Sequence, residues 1–130
     1  MSADRPTFLD WELMLALHAG SLRRWGGIDG VRDRAVLESA LGAAENTFHC
    51  GAGDVHDIAA AYAYPIAQSQ AFLDGNKRTA VVCATVVLIE NGCRDASEDL
   101  VLHSAMIALA RRELDKPGLA ALLRRQLPRA

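Results

Sequence analysis

The sequence predicts an all-α fold in a single domain, a helical bundle of about six helices spanning residues 1–130. Three observations predict it. Apolar residues recur at three- and four-residue spacing through most of the chain. The breaks between these stretches are short and carry helix-start and helix-stop residues. The most apolar run, Asn76 to Glu90, is rich in Val and Thr but far longer than an ordinary strand.

The first helix is expected from about Asp10 to Arg24, with Asp10 as N-cap and Leu13, Leu17 and Trp25 on its apolar face. The stretch GGIDG at 26–30 breaks it. A second helix follows from about Arg32 to Ala43, with Val36, Leu37, Ala40 and Leu41 facing inward. ENTFHCGAG, from Glu45 to Gly53, is the least regular segment and reads as a flexible flap. A third helix starts near Asp54 and carries Ile58, Tyr62 and Ile66, and Pro65 predicts a kink or a fresh start inside it. The Asn76–Glu90 helix is apolar nearly all round, the mark of a central buried element, and Asn91-Gly92 ends it. Ser97 is placed as the cap of a fifth helix reaching about Arg112, and Asp115 with Pro117 opens a short sixth.

The bulk numbers exclude several function classes. With 51% hydrophobic and 23% charged residues the chain is an ordinary globule, long enough to bury a core unaided. A net charge of −2, without a basic stripe, argues against direct nucleic-acid binding. Cys50, Cys83 and Cys93 form no C-x-x-C pair and read as small apolar residues in a reducing compartment. His18, His49, His56 and His103 lack metal-ligand spacing, so no zinc site is expected. No leader-like or membrane-spanning stretch is visible, and a cytoplasmic protein is expected.

The chemistry concentrates in QAFLDGNKRT, Gln70 to Thr79. Its second half falls at the start of the buried helix. The first N–H groups of a helix lack internal partners, and the peptide dipoles place partial positive charge there. Such an end accepts anions. Gly75 permits a tight turn and close approach, Asn76 can cap or orient the loop, and Lys77 and Arg78 suit neighbouring phosphates. Asp74 suits the Mg²⁺ that accompanies nucleotide phosphates. On spacing alone, the same letters also describe a common turn followed by a solvated helix start.

AFLDGNKRTA resembles the signature of the Fic/Doc family, and specifically its death-on-curing branch, whose pattern is H-x-F-x-D-x-N-K-R. GGIDGVRDRAVLESAL at 26–41 resembles the segment that precedes the flap in those proteins, and FLDWELMLALH at 8–18 resembles their first helix. The resemblance implies a six-helix fold with the signature loop between the two central helices. It implies transfer of part of ATP to a protein hydroxyl. Lys77 stands where AMP-transferring members carry a second glycine, which favours transfer of the terminal phosphate over adenylylation. The implied setting is a toxin that modifies a translation elongation factor and is held silent by a partner antitoxin. Asp74 would hold Mg²⁺, Gly75, Asn76, Lys77 and Arg78 would bind ATP phosphates, Phe72 would pack inward, and Thr47 and Phe48 would lie along the target.

One position departs from the pattern. Gln70 stands where the family has its catalytic histidine. A neutral imidazole, with a pKa of about 6.5, can accept the target's hydroxyl proton; an amide cannot keep one. Losing general-base help costs roughly 10²–10⁴ in rate. Three explanations stand. Positioning and charge stabilisation suffice and Gln70 orients the nucleophile; His49 or His56 supplies the base; or the fold has kept binding and lost transfer.

Overall fold

The computed structural model describes residues 5–51 and 53–130. Among them are six helices: α1 (Trp11–Trp25), α2 (Arg34–His49), α3 (Val55–Gln68), α4 (Asn76–Glu90), α5 (Asp99–Ala110) and α6 (Lys116–Gln126). Among the described residues, bridge pairing is limited to Val31 with Phe72 and Cys93 with Arg129. Aspartates start most of the helices. Asp10, Asp33, Asp54 and Asp115 each accept a hydrogen bond from a backbone N–H in the first turn, satisfying donors that the helix itself leaves open. Asp54 and Asp57 form a reciprocal capping box. At the far end of α4, Gly92 donates to Ile89 and Cys93 to Leu88, the paired closure that a left-handed glycine allows.

The core centres on α3, which packs against α2, α4, α5 and α6. Its middle, Ala59, Ala60, Ala61, Tyr62 and Ala63, is buried on every side, and the small residues let neighbouring helices close in. Tyr62 is fully buried with its hydroxyl between the N–H and C=O of Leu9, tying the segment before α1 to the centre. Burial, outweighing the hydrogen bond to Leu9, pushes the Tyr62 hydroxyl up to about 12. α4 is the second central helix, and the signature loop joins the two.

Several expectations change. The segment from Glu45 to Gly53 is not an irregular flap: α2 runs on through His49, and only then turns at Cys50 and Gly51 (Ala52 lies outside the described residues). No glycine or proline occurs from Glu45 to Cys50, and the extension is anchored by Phe48, whose ring meets Phe8 edge-on at 5.9 Å. α2 also starts two positions late: Asp33 is extended and acts as its N-cap, and the Arg32 and Asp33 N–H groups donate to the Ala71 carbonyl. The buried face of α1 is Met14, His18 and Ser21, while Leu13 and Trp25 are exposed; a polar side chain with buried partners outcompetes an apolar one without them. α3 does not restart at Pro65. The proline lies one turn from the helix end, where one missing N–H is tolerated, and Ser69 closes the helix on the Pro65 carbonyl. Ser97 is not the cap of α5, since its N–H and hydroxyl both turn back to Asp95, and Glu98 takes the cap position without a side-chain bond.

α6 is fastened to the start of α3 by Arg124, which donates to both Asp54 oxygens at 3.1 and 3.2 Å and to Asp57 at 2.7 Å. Partial burial pushes the Asp54 carboxyl up. The Arg124 and Asp57 hydrogen bonds outweigh it and hold the group well below the usual carboxylate range. A depressed folded-state pKa gives stability that is present above the unfolded value of about 3.9 and lost as pH falls below it. Arg124→Met should therefore lower the melting temperature by about 4 °C or less at pH 7 and flatten its decline on acidification below about pH 4, read by thermal denaturation across pH.

Candidate functional site

The signature loop is held from within by one aromatic side chain. Phe72 is fully buried, and the His18 ring of α1 stacks on it with centroids 3.7 Å apart and planes 7° from parallel. The Asn76 side chain accepts from the Phe72 N–H at 2.9 Å and donates to the Phe72 carbonyl at 3.0 Å. His18 Nε2 lies 2.9 Å from the Asp74 carbonyl, which can only accept, so Nε2 carries a proton. The α1–α2 connection grips the outer edge. Leu73 donates to the Gly30 carbonyl, and Arg32 and Asp33 both donate to Ala71. Gly30 is in a positive-φ conformation at +139°, and a Cβ there would meet the Leu73 side chain at 2.7 Å.

The loop leads into α4 through Gly75, which is left-handed at φ +75° and ψ +20°. No side chain caps this end, in contrast to the aspartate-capped starts of α1, α2, α3 and α6. The residues of this helix start line an open polar cavity of about 410 Å³. Gln70, Asp74, Gly75, Asn76, Lys77 and Arg78 all line it. The structure therefore brings the residues expected to bind phosphate into one lining, with two cations at a helix N-terminus.

The donor set fits a nucleotide's phosphates, and the Asp74 carboxylate fits the hard cation that accompanies them. Asp74 Oδ1 accepts from the Gly75 N–H at 2.9 Å and Oδ2 from the Ile28 N–H at 3.3 Å. Those bonds fix the carboxylate while each oxygen keeps a second lone pair, as suits Mg²⁺ bound through one protein carboxylate plus phosphates and water.

Gln70 is exposed at the rim, and Arg32 Nη1 donates to its Oε1 at 2.7 Å. On the other side of Arg78 is a smaller, mainly apolar cavity of about 160 Å³, floored by Val81, Val82, Val86 and Leu102 with Trp25 and His103 on its walls. It is better shaped for an apolar group, but the polar cavity holds the chemistry. Trp25 lies between two cations, Arg24 at 4.8 Å and Arg78 at 4.5 Å from its ring centre. Arg78 also reaches Asp99 at 3.9 Å. Burial, then the charges of Arg78 and Lys77, hold the His103 imidazole below its usual pKa.

Comparison with known proteins bears on this geometry directly. Residues 8–88, α1 through most of α4 with the loop included, match the model of the Fic/DOC family. Over 117 residues the sequence is 30% identical to the protein kinase Doc of Escherichia phage P1, covering 88% of this chain and 90% of that protein. The chain belongs to the Fic/DOC family.

Within this Fic/DOC fold, other residues singled out from the sequence lie away from the loop cavity. Thr47 donates to the Ala43 carbonyl within α2, and Phe48 packs against the core beside Phe8. His49 is exposed at the end of α2 with its ring against Phe48. His56 is buried, with Nε2 2.7 Å from the Leu127 carbonyl and Nδ1 3.7 Å from Asp54. Among the described residues, none of these four lines the cavity. His18, Arg32 and His103 were not singled out as site residues by the sequence reading. Nothing local signals them: His18 and Arg32 meet the loop from 56 and 38 positions away, and His103 is set beside Arg78 only by the packing of α5 on α4.

Asn76→Ala should leave the Phe72 N–H and carbonyl without partners and destabilise the fold by about 1–3 kcal/mol, measured by denaturant titration. A change of under about 0.5 kcal/mol would mean that the stapling bonds are replaceable by water.

Proposed function

We propose that this protein is a death-on-curing-type toxin that transfers the terminal phosphate of ATP to a hydroxyl of a protein of the translation machinery, a translation elongation factor in the family's pattern. A partner antitoxin holds it silent. The observation that carries this reading is the polar cavity in which Asp74, Gly75, Asn76, Lys77 and Arg78 meet at the uncapped N-terminus of α4. The kinase activity in the name of the phage P1 relative supports phosphoryl rather than adenylyl transfer, as does Lys77.

Lys77 and Arg78, with the α4 N–H groups, bind the phosphate chain and balance charge that spreads over the moving phosphoryl group. Mg²⁺, when held by Asp74, would supply further charge neutralisation on the phosphates. The target hydroxyl oxygen bonds to the γ-phosphorus as the bond to the β,γ-bridging oxygen breaks, and ADP leaves with that electron pair. The hydroxyl proton passes to a phosphoryl oxygen and on to water, since Gln70 cannot retain it. Transfer through a loose transition state tolerates this because positioning and electrostatics supply most of the acceleration.

A second reading is a Fic-fold protein that binds nucleotide or a partner without transferring anything. Gln70 favours it, since its amide has no useful basicity and its carbonyl is already occupied by Arg32.

Incubation with an elongation-factor target and ATP labelled at the α or γ position separates the readings. Label from the γ position should appear on the target, and Gln70→His should raise its rate by about 10²–10⁴. Label from the α position would establish adenylylation instead. Bound ATP with no label transfer, before or after Gln70→His, would leave the silent binder.

A further inference from the structure

We infer that Arg32 is a positioning residue that fixes the orientation of the Gln70 amide, making the family's histidine position a hydrogen-bond donor towards the bound anion. This rests on reading the loop cavity as a phosphate site and adds how its rim is set. The geometry is simple. Arg32 Nη1 lies 2.7 Å from the outer end of Gln70. A guanidinium has only donors, so the atom facing it must be the carbonyl Oε1, and the amide assignment is forced by chemistry. Gln70 lines the loop cavity and Arg32 does not. With Oε1 turned to Arg32, the group left to face the cavity is the Nε2 amide with its two protons.

Arg32 is well placed to hold this pose. Its own backbone N–H donates to the carbonyl of Ala71, the residue after Gln70, at 2.8 Å. Main chain and side chain therefore grip successive residues of the signature, through the α1–α2 connection. The chemical outcome is a donor-rich edge around the loop. Gln70 Nε2, Lys77, Arg78 and the first N–H groups of α4 all offer protons or positive charge to a ligand. Asp74 supplies the one carboxylate in the lining, and its oxygens are oriented by the Gly75 and Ile28 N–H groups, while Gln68 and Ser69 add neutral polar groups. Gln70 in this pose donates to a phosphate oxygen. It is the reverse of the proton-accepting role that a neutral imidazole performs.

A double-mutant cycle with the non-hydrolysable analogue AMP-PNP and Mg²⁺ tests the inference. Arg32→Met removes a charge as well as an orienting group, so its effect is compared in wild-type and Gln70→Met backgrounds. If Arg32 acts through Gln70, Arg32→Met should weaken AMP-PNP binding about tenfold in the wild type and far less in Gln70→Met. Arg32→Lys, still donor-only, should recover part of the loss. In parallel, the Gln70 side-chain amide protons, assigned by their disappearance in Gln70→Met, should shift on AMP-PNP addition in the NMR spectrum of the wild type. Equal losses in both backgrounds, or amide protons unmoved by the nucleotide, overturn it. The label-transfer outcome is separate. Coupling without transfer would leave the donor role standing and remove the kinase reading; transfer with an additive cycle would do the opposite.

Discussion

The site depends on the burial of Phe72. A loop that places a glycine, an asparagine and two cations at a helix start has no intrinsic reason to hold one conformation. Ordering each of its residues costs about 1–2 kcal/mol of backbone entropy. Phe72 offsets that cost by entering the core completely, with the His18 ring stacked on it. Its burial would strand an N–H and a carbonyl, and the Asn76 amide takes both. Once Phe72 and Asn76 are fixed, the residues between them have little freedom. Asp74 is held by its carbonyl to His18, and Gly75 makes the left-handed turn into α4.

The bundle uses its charges differently in different places. At the starts of α1, α2, α3 and α6 an aspartate closes the helix. At α4 the sequence withholds such a cap and puts Lys77 and Arg78 in the first turn, which is unfavourable to the helix itself because like signs meet at the positive end of the dipole. The fold carries this local cost through the burial of the rest of α4, from Thr79 to Leu88. An end that is poor for helix stability is good for binding a multiply charged anion. α5 also starts without a side-chain cap, but its first turn carries Asp99, whereas only α4 combines an uncapped start with two cations.

Much of the fold was legible because the signals are local. Asp10, Asp54 and Asp115 cap where their positions predict, Ile58, Tyr62 and Ile66 share the buried face of α3, and Asn91-Gly92 ends α4. The gathering of Gln70 through Arg78 into one cavity was legible for the same reason, since those residues are neighbours in sequence. What escaped were pairs made across the chain. His18 reaches Asp74 over 56 positions, and Arg32 reaches Gln70 over 38. The helical run from Glu45 to His49 was hidden too, because Asn, Thr and His have weak helix propensity and the ring contact that stabilises them comes from Phe8. The family resemblance carried the functional reading further than spacing alone, but it was silent about Arg32 and His103.

Arg78 stands in the wall shared by two unlike cavities, the polar one at the loop and the apolar one beneath Trp25 and His103. Its guanidinium lies over the indole and beside Asp99, and a ligand in the polar cavity that drew it away would loosen both contacts. Thermodynamic reciprocity then applies. Whatever free energy an occupant of the apolar cavity gains or loses through Arg78, a phosphate ligand gains or loses equally when both are present. A single side chain would thereby let the two chambers sense one another, with no movement of the helices required.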